Sequence, residues 1–340
     1  MATKPQMSLM IAGSPVLVVH ESLPIDKVVP NPDNPRIRFQ IEHRRGSKAL
    51  SAAELMDLIR EQPGYDALQK SIRKAGGLCE PVIVRHDGVV VEGNSRATSF
   101  KTLHAGSPTD PRWMRIPVAR LPKSVPDSAI AVLMATYHVA GKTVWRPYAQ
   151  ADQIFQLRHT HHLSVEQIAD ETRMSPREVE QYLDAYSYLV KEVLPHAVNG
   201  NGSDILESKF SHALEFVTRK NLAGLRENPG VRQQLAKLLA EDKIKGAEVR
   251  ELDKVLKNRK ASAALQKGGF KAAKKALRET DPVAASKLLK EMQTFTRSLG
   301  KMGQDDIALL KSSTKAREVL LDLGEAVRNV AAIAGVKLRG

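Results

Sequence analysis

Between Pro81 and Lys101 the chain reads PVIVRHDGVVVEGNSRATSFK, and few folds accommodate that order of residues. Val82, Ile83 and Val84 are β-branched and follow a proline, so they favour a strand. His86-Asp87-Gly88 supplies turn residues, and Val89, Val90 and Val91 predict the return strand of a hairpin. That strand runs into Glu92-Gly93-Asn94-Ser95-Arg96, after which Ala97 to Leu103 reads as a helix. A glycine at a strand end lets a ligand approach the backbone. The free N–H groups at the helix start favour an anion, and an arginine one turn in can clamp it. Such a loop can cradle a phosphate. The same residues also fit a plain turn at Gly93, with Asn94 or Ser95 capping the helix.

The flanking segments narrow the choice. Leu68–Lys74 predicts an amphipathic helix that Ala75-Gly76-Gly77 ends, and Leu78-Cys79-Glu80-Pro81 leads into the first strand. Upstream, Leu23 to Arg36 reads LPIDKVVPNPDNPR. Taken in order, L-P-I-D-K-V-V-P-N-P-x-N-P-R, L-x-x-S-I-x-x-x-G-G-L-x-E-P-V-I-V and V-V-x-E-G-N-x-R resemble the N-terminal domain of the ParB family of chromosome and plasmid partition proteins. That domain is related in fold to sulfiredoxin. The likeness covers about residues 20–240 in order and leaves the C-terminal third unmatched.

The resemblance implies an α+β ParB/sulfiredoxin-like N-terminal domain, a mainly α-helical helix-turn-helix domain and an α-helical C-terminal region. It further implies nucleotide binding, with CTP (with or without Mg2+) as the expected nucleotide, at Gly77, Glu92, Gly93, Asn94, Ser95, Arg96 and Lys142. Double-stranded DNA, a second copy of the chain and a partner ATPase are the partners it brings, and a nucleoid- or plasmid-associated place in the cytoplasm. Two departures stand against the nucleotide-hydrolysing members. Their Glu-Asn-x-Gln-Arg segment is similar in position to Tyr137-His138-Val139-Ala140-Gly141-Lys142-Thr143, which lacks both the metal-binding acid and the Gln-Arg pair. Their Gly-Glu-Arg-Arg loop corresponds to Gly93-Asn94-Ser95-Arg96, with one arginine in place of two. Nucleotide binding is therefore expected without a metal site, with Lys142 supplying some of the missing charge. His138 is expected at a helix end or packed. Relatives of this fold that act as kinases or nucleases offer a second reading, with Glu92 as general base. A third is a DNA-binding transcriptional regulator that has lost its nucleotide.

Composition agrees with a helical, DNA-associated chain. Of 340 residues 42% are hydrophobic but only 4% aromatic, and the formal charge is +14 with a pI near 9.8. Such a balance calls for a polyanion, nucleic acid first and an anionic membrane surface second. Cys79 is the single cysteine, which excludes an internal disulfide and a zinc site of the several-cysteine kind. It is expected as a small buried residue. No apolar run is long enough to span a bilayer, and Met7–Val19 lacks a signal-peptide layout, so a soluble cytoplasmic protein is expected. The predicted division is a loose arm over 1–22 with a strand at Val16–His20, a nucleotide-binding domain over 23–125 and a helix-turn-helix domain over 126–240. A basic helical linker over 241–280 and a C-terminal helical region over 281–340, a candidate for dimerisation, follow. Within the expected nucleotide-binding domain, Arg36–Lys48 reads as a basic loop, either solvated or touching phosphate.

The second informative region is Tyr148–Leu189. Ser164-Val165-Glu166-Gln167 and Ser175-Pro176-Arg177-Glu178 are both helix starts of the capping-box form. Pro176 stands at the first helical position, where its missing N–H costs nothing. A helix over Ser164–Glu171, a turn at Thr172–Ser175 and a helix over Pro176–Tyr188 make a helix-turn-helix. The side chains expected to face DNA are Ser175, Arg177, Glu178 and Gln181, with Arg177 suited to guanine, Gln181 to adenine and Arg173 to a phosphate. A helical hairpin that binds protein has the same pattern. Further on, Lys254 to Arg278 holds nine Lys or Arg and no acid. Lys267, Lys271, Lys274 and Lys275 are the expected DNA contacts there, on two helical pieces hinged at Gly268-Gly269. From Pro282 to Leu338, Leu288, Leu289, Met292, Phe295 and Leu299, then Val319, Leu323, Val327 and Val330, predict an amphipathic helix pair. That pair either packs on itself or pairs with a second copy.

Overall fold

The apolar runs at 82–84 and 89–91 do not alternate with polar residues because both faces of the sheet they enter are covered. The computed structural model describes residues 6–44, 49–139, 145–197 and 202–338. The sheet has five strands in the order β1-β2-β5-β3-β4: β1 (Gln6–Ile11), β2 (Ser14–Pro24), β3 (Val82–Val84), β4 (Val90–Glu92) and β5 (Arg115–Arg120). On one face Val82, Val84, Val90, Ile116 and Val118 meet Ile72 of α3 (Tyr65–Ala75) and Phe100 and Leu103 of α4 (Asn94–Gly106). On the other, Ile83, Val91 and Ala119 meet Ile130, Leu133 and Met134 of α6 (Asp127–His138). The pairing of β3 with β5 is parallel. It therefore needs a long crossover, which β4, α4 and the short α5 (Pro111–Met114) provide.

Three differences from the sequence reading concern this domain. Residues 6–22, expected as a loose arm, form a hairpin whose second strand lies antiparallel to β5 from Val19↔Arg120 to Pro24↔Arg115. Glu21 and Arg120 make an ion pair across that pairing. The partner strand is nearly one hundred residues away in sequence, so local composition could not reveal it. The expected basic loop is instead helical over α1 (Pro35–Arg44). Asn34 accepts from the Arg36 N–H at 3.1 Å and Pro35 opens the helix, a start signal masked by Pro30 and Pro32 just before it. Cys79 is exposed, not buried, because the chain between α3 and β3 runs over the surface. The remaining helix of this domain, α2 (Ala52–Arg60), starts with a capping box of Ser51 and Glu54.

The rest of the described chain is helical: α7 (Pro147–His159), α8 (Val165–Thr172), α9 (Pro176–Tyr188), α10 (Gly202–Thr218), α11 (Ala223–Arg226), α12 (Pro229–Ala240), α13 (Gly246–Val249), α14 (Leu252–Lys257), α15 (Arg259–Thr280) and α16 (Pro282–Ala285). A continuous core joins α7, α9, α10, α12, α14 and α15, built on Tyr148, Tyr188, Phe210, Phe216, Leu239 and Phe270. Beyond it lie α17 (Lys287–Leu299), α18 (Gln304–Ser312) and α19 (Thr314–Ile333). The expected helix pair thus has a further helix, α18, between its halves. Leu288, Met292, Phe295, Val319, Val327 and Val330 are all exposed, so this region does not close on itself as a packed hairpin. Among the described residues no helix is long and apolar enough to cross a membrane.

Candidate functional site

Gly93 ends β4 in the left-handed conformation, φ 92° and ψ 27°, and α4 begins at the next residue. A Cβ there would lie 2.8 Å from Val82 Cγ1 and 3.0 Å from the Arg96 guanidinium, so the turn and the close approach both require glycine. No side chain caps α4 and no acid stands in its first turn. Its leading N–H groups therefore keep their capacity for an external anion. Asn94, expected to cap the helix or touch a ligand, does not cap it: its Oδ1 accepts from the Asn31 N–H at 2.9 Å, which pins the PNPDNP loop to α4 while the residue borders the neighbouring cleft. Ser95 lines the cleft that opens here.

That cleft has a volume of about 400 Å3, and Asn34, Arg36, Tyr65, Gly93, Arg96 and Trp145 are among the residues around it. Arg96 is held on its inner wall. It forms an ion pair with Glu92 and donates to the carbonyl oxygens of Glu80 at 2.9 Å and Pro81 at 3.3 Å. Burial pushes the Glu92 carboxyl above the ordinary carboxylate range, and the charge of Arg96 offsets only part of that. The Arg96 guanidinium engages Glu92 Oε2. Arg36 faces the same cleft from α1 and donates to the Pro63 carbonyl at 3.2 Å. Burial, and then the charge of Arg146, pull its pKa down. Among the described residues no carboxylate pairs with it, so its charge is open to an anion in the cleft. His138 stacks on Trp145 with ring centroids 4.4 Å apart and planes 13° apart, closing one side.

The expected nucleotide contacts thus divide. Glu92, Gly93, Asn94, Ser95 and Arg96 come together, and Arg36, Tyr65, His138 and Trp145 join them from distant segments. Gly77 does not line the cleft; it follows left-handed Gly76, where α3 ends. Lys142 lies outside the described residues, as do residues 140–143 of the segment 137–143 compared with the Glu-Asn-x-Gln-Arg motif. The Arg36 contribution was partly legible, since it opens the basic stretch. The aromatic wall was not, because Tyr65 and Trp145 belong to no motif. Among the described residues no group of three or more His, Cys, Asp or Glu side chains is placed to hold a metal ion. The carboxylates at the cleft are Glu80 and Glu92, both beside Arg96, so a protein-held Mg2+ does not fit them.

The second candidate site is the pair α8 and α9. Ile168 and Ala169 of the first helix and Val179 of the second are buried against Ile154 and Leu157 of α7. Arg173 ends α8 in the left-handed conformation, φ 56° and ψ 31°, and is exposed in the turn. At the start of α9, Ser175 and Glu178 form a reciprocal cap. The Ser175 N–H and hydroxyl donate to Glu178 Oε2 at 2.8 and 2.7 Å, and the Glu178 N–H donates back at 3.2 Å. Those bonds hold the Glu178 carboxyl below its usual range. Both side chains are therefore spent on the helix start, and Arg177, exposed, and Gln181, half-buried, remain to face a partner. Of the expected contacts in the basic run, Lys267 precedes the break in α15, whereas Lys271, Lys274 and Lys275 follow it.

No protein-family model matches the chain. No curated protein matches it either. Among solved structures the chain is similar to the C-terminally truncated chromosome-partitioning protein ParB from Caulobacter crescentus complexed to the centromeric parS site. The identity is 16% and the TM-score 0.35, over 69% of this chain and 98% of that one. It is similar to the same protein complexed with CTP-gamma-S at 17% identity and a TM-score of 0.24, over 61% and 97%. With the Pnob8-like ParB-N domain the values are 12% and 0.29, over 91% and 97%. The chain itself has an α+β N-terminal part followed by helices.

Proposed function

We propose that this protein is a ParB-like DNA-binding protein, acting in plasmid or chromosome partition or related DNA regulation, with a nucleotide switch in its N-terminal domain. The observation that carries this reading is the meeting of the Gly93-led start of α4 with Arg36 and Arg96 in one cleft, ahead of a helix-turn-helix. The phosphates of a nucleotide would lie on the α4 N–H groups and Arg36. CTP is the nucleotide that the motif resemblance names, and any Mg2+ would be held by its phosphates. Binding would shift the population of N-terminal domain arrangements and so the way α9 loads on DNA. The exposed apolar faces of α17 and α19 would pair with a second copy, and two copies of α9 would then read an inverted repeat. A partner ATPase and a place on the nucleoid or plasmid would follow from partition.

The test is equilibrium binding of labelled CTP and ATP to the full chain, with Arg36→Ala and Arg96→Ala beside the wild type, followed by phosphate release. CTP binding weakened in both variants supports the switch. ATP preference with phosphate passed to an acceptor would replace it with the kinase reading. Absence of binding to either nucleotide would leave a DNA-binding regulator on a fold that has lost its ligand.

A further inference from the structure

The break in α15 builds a feature that the basic run alone does not contain. Gly269 takes φ 71° and ψ −169° inside the helix, and the Phe270 N–H donates to the Lys243 carbonyl at 3.0 Å. A Cβ on Gly269 would lie 3.0 Å from that same oxygen. The second half of α15 is thus docked on the loop between α12 and α13. Phe270, Ala273 and Leu277 enter the helical core, and helical periodicity turns Lys271, Lys275 and Arg278 away from it, with half-buried Lys274 at its edge. There they face Lys243 and Lys245 across an open cleft of about 910 Å3.

The charge in this cleft is poorly compensated. Its carboxylates are Asp242 and Glu248. The first is ion-paired with Lys209, outside the cleft, and the second accepts from the Lys245 backbone N–H at 2.8 Å. Lys243 has Glu241 at 2.8 Å and Lys274 has Glu251 at 3.4 Å. Among the described residues, no carboxylate pairs with Lys245, Lys271, Lys275 or Arg278. Like charges gathered on a concave wall focus a positive field and draw a polyanion. Lysines act as point charges suited to phosphates and carry little base readout.

We propose that this cleft grips the phosphate backbone of duplex DNA independently of sequence, as a second contact beside the helix-turn-helix. The proposal rests on the DNA-binding reading above. Both sites are carried by α10, which packs against α9 and α13, so the grip and the recognition helix share one scaffold. Lys267 does not line the cleft and is not part of the grip.

The test measures the affinity of the full chain for a mixed-sequence duplex across a salt series. The wild type is compared with Lys271→Gln/Lys275→Gln/Arg278→Gln and with Lys267→Gln. Each phosphate contact adds about 0.9 to the log–log slope, so the triple variant is expected to lose about 2–3 from it. Lys267→Gln is expected to keep the wild-type slope. An unchanged slope in the triple variant, with DNA binding intact in the wild type, overturns the cleft alone. No duplex binding by the wild type overturns the DNA-binding reading and the cleft together. Loss of binding to phosphatidylglycerol vesicles, with an unchanged DNA slope, would assign the cleft to a membrane surface and overturn the proposal.

Discussion

Arg38 of α1 and Asp152 of α7 form an ion pair, with 2.6 Å between nitrogen and oxygen and side chains only 12% and 3% exposed. The other carboxylate oxygen accepts from the Tyr186 hydroxyl of α9 at 3.0 Å. The helix that carries Arg36 into the cleft is thereby tied to α9, the second helix of the α8–α9 pair. Removing one partner of a buried pair leaves a charge without its counter-ion. Asp152→Ala should therefore cost about 3–5 kcal/mol of stability. The double variant Arg38→Met/Asp152→Leu should cost less than that single change, because no charge is stranded. Denaturant unfolding of the three proteins checks the order, and a double variant weaker than the single one would contradict it.

Gly93→Ala should be destabilising by about 1–3 kcal/mol, since a left-handed φ is forced on a residue with a Cβ. The added carbon would also press on Val82 and on the Arg96 guanidinium. Nucleotide affinity should fall with stability. Thermal unfolding and binding calorimetry on one preparation separate a wild-type-like variant from the expected one.

Glu92 titrates above the ordinary range because burial outweighs the charge of Arg96. A raised folded pKa means that the folded state binds the proton more tightly. Its contribution to stability is present below the unfolded value, about 4.3 for a free Glu, and is lost as pH rises through the folded pKa. In Arg96→Ala both the opposing charge and its hydrogen bond are gone, so the Glu92 pKa should climb further. Carbon NMR titration of the Glu92 carboxyl reads this directly; a fall would show that burial is not the dominant cause.

Ser175 and Arg177 sit two residues apart and should fail differently. Ser175→Ala breaks the cap and should cost about 1 kcal/mol of stability, with little effect on sequence preference. Arg177→Ala should leave stability unchanged and remove about 1–3 kcal/mol of discrimination between cognate and mutated sites. Competition binding after selection of a preferred duplex tests it. Full specificity in Arg177→Ala would remove this helix from the DNA.

Met292 and Phe295 are 42% and 48% exposed on one face of α17. Met292→Glu/Phe295→Glu should turn a dimer into a monomer without changing helix content, as read by sedimentation and circular dichroism. A dimer that survives the change would place the interface elsewhere.

Much of the candidate site was written in local sequence. The β-branched runs around His86-Asp87-Gly88, and the glycine placed between strand and helix, dictate a hairpin running into a free helix start wherever they occur. The two Ser-x-x-Gln/Glu caps likewise dictate where α8 and α9 begin. These are short-range matters of dihedral preference and hydrogen-bond supply, and one segment contains all the information. Arg36, Tyr65 and Trp145 converge on Gly93 from three other segments, and no spacing announces that. A strand at Val16–His20 was legible, but its extension over residues 14–24 and its place in the sheet depended on a partner near residue 120. The exposure of Cys79 depended on the route of a connector, and the six-cation cleft on Gly269 bringing α15 against Lys243.

By itself, the sequence determined the 82–92 hairpin, the glycine-led start of α4, the capped pair α8 and α9 and the basic character of the α15 face, since these follow from backbone sterics and periodicity. Only the tertiary structure decided which charges are spent and which are free. Arg38, Arg96 and Glu178 are consumed by buried or capping partners, whereas Arg36, Arg177, Lys271, Lys275 and Arg278 have no carboxylate partner among the described residues. Pairing depends on distances between segments far apart in the chain, and folding alone sets those distances.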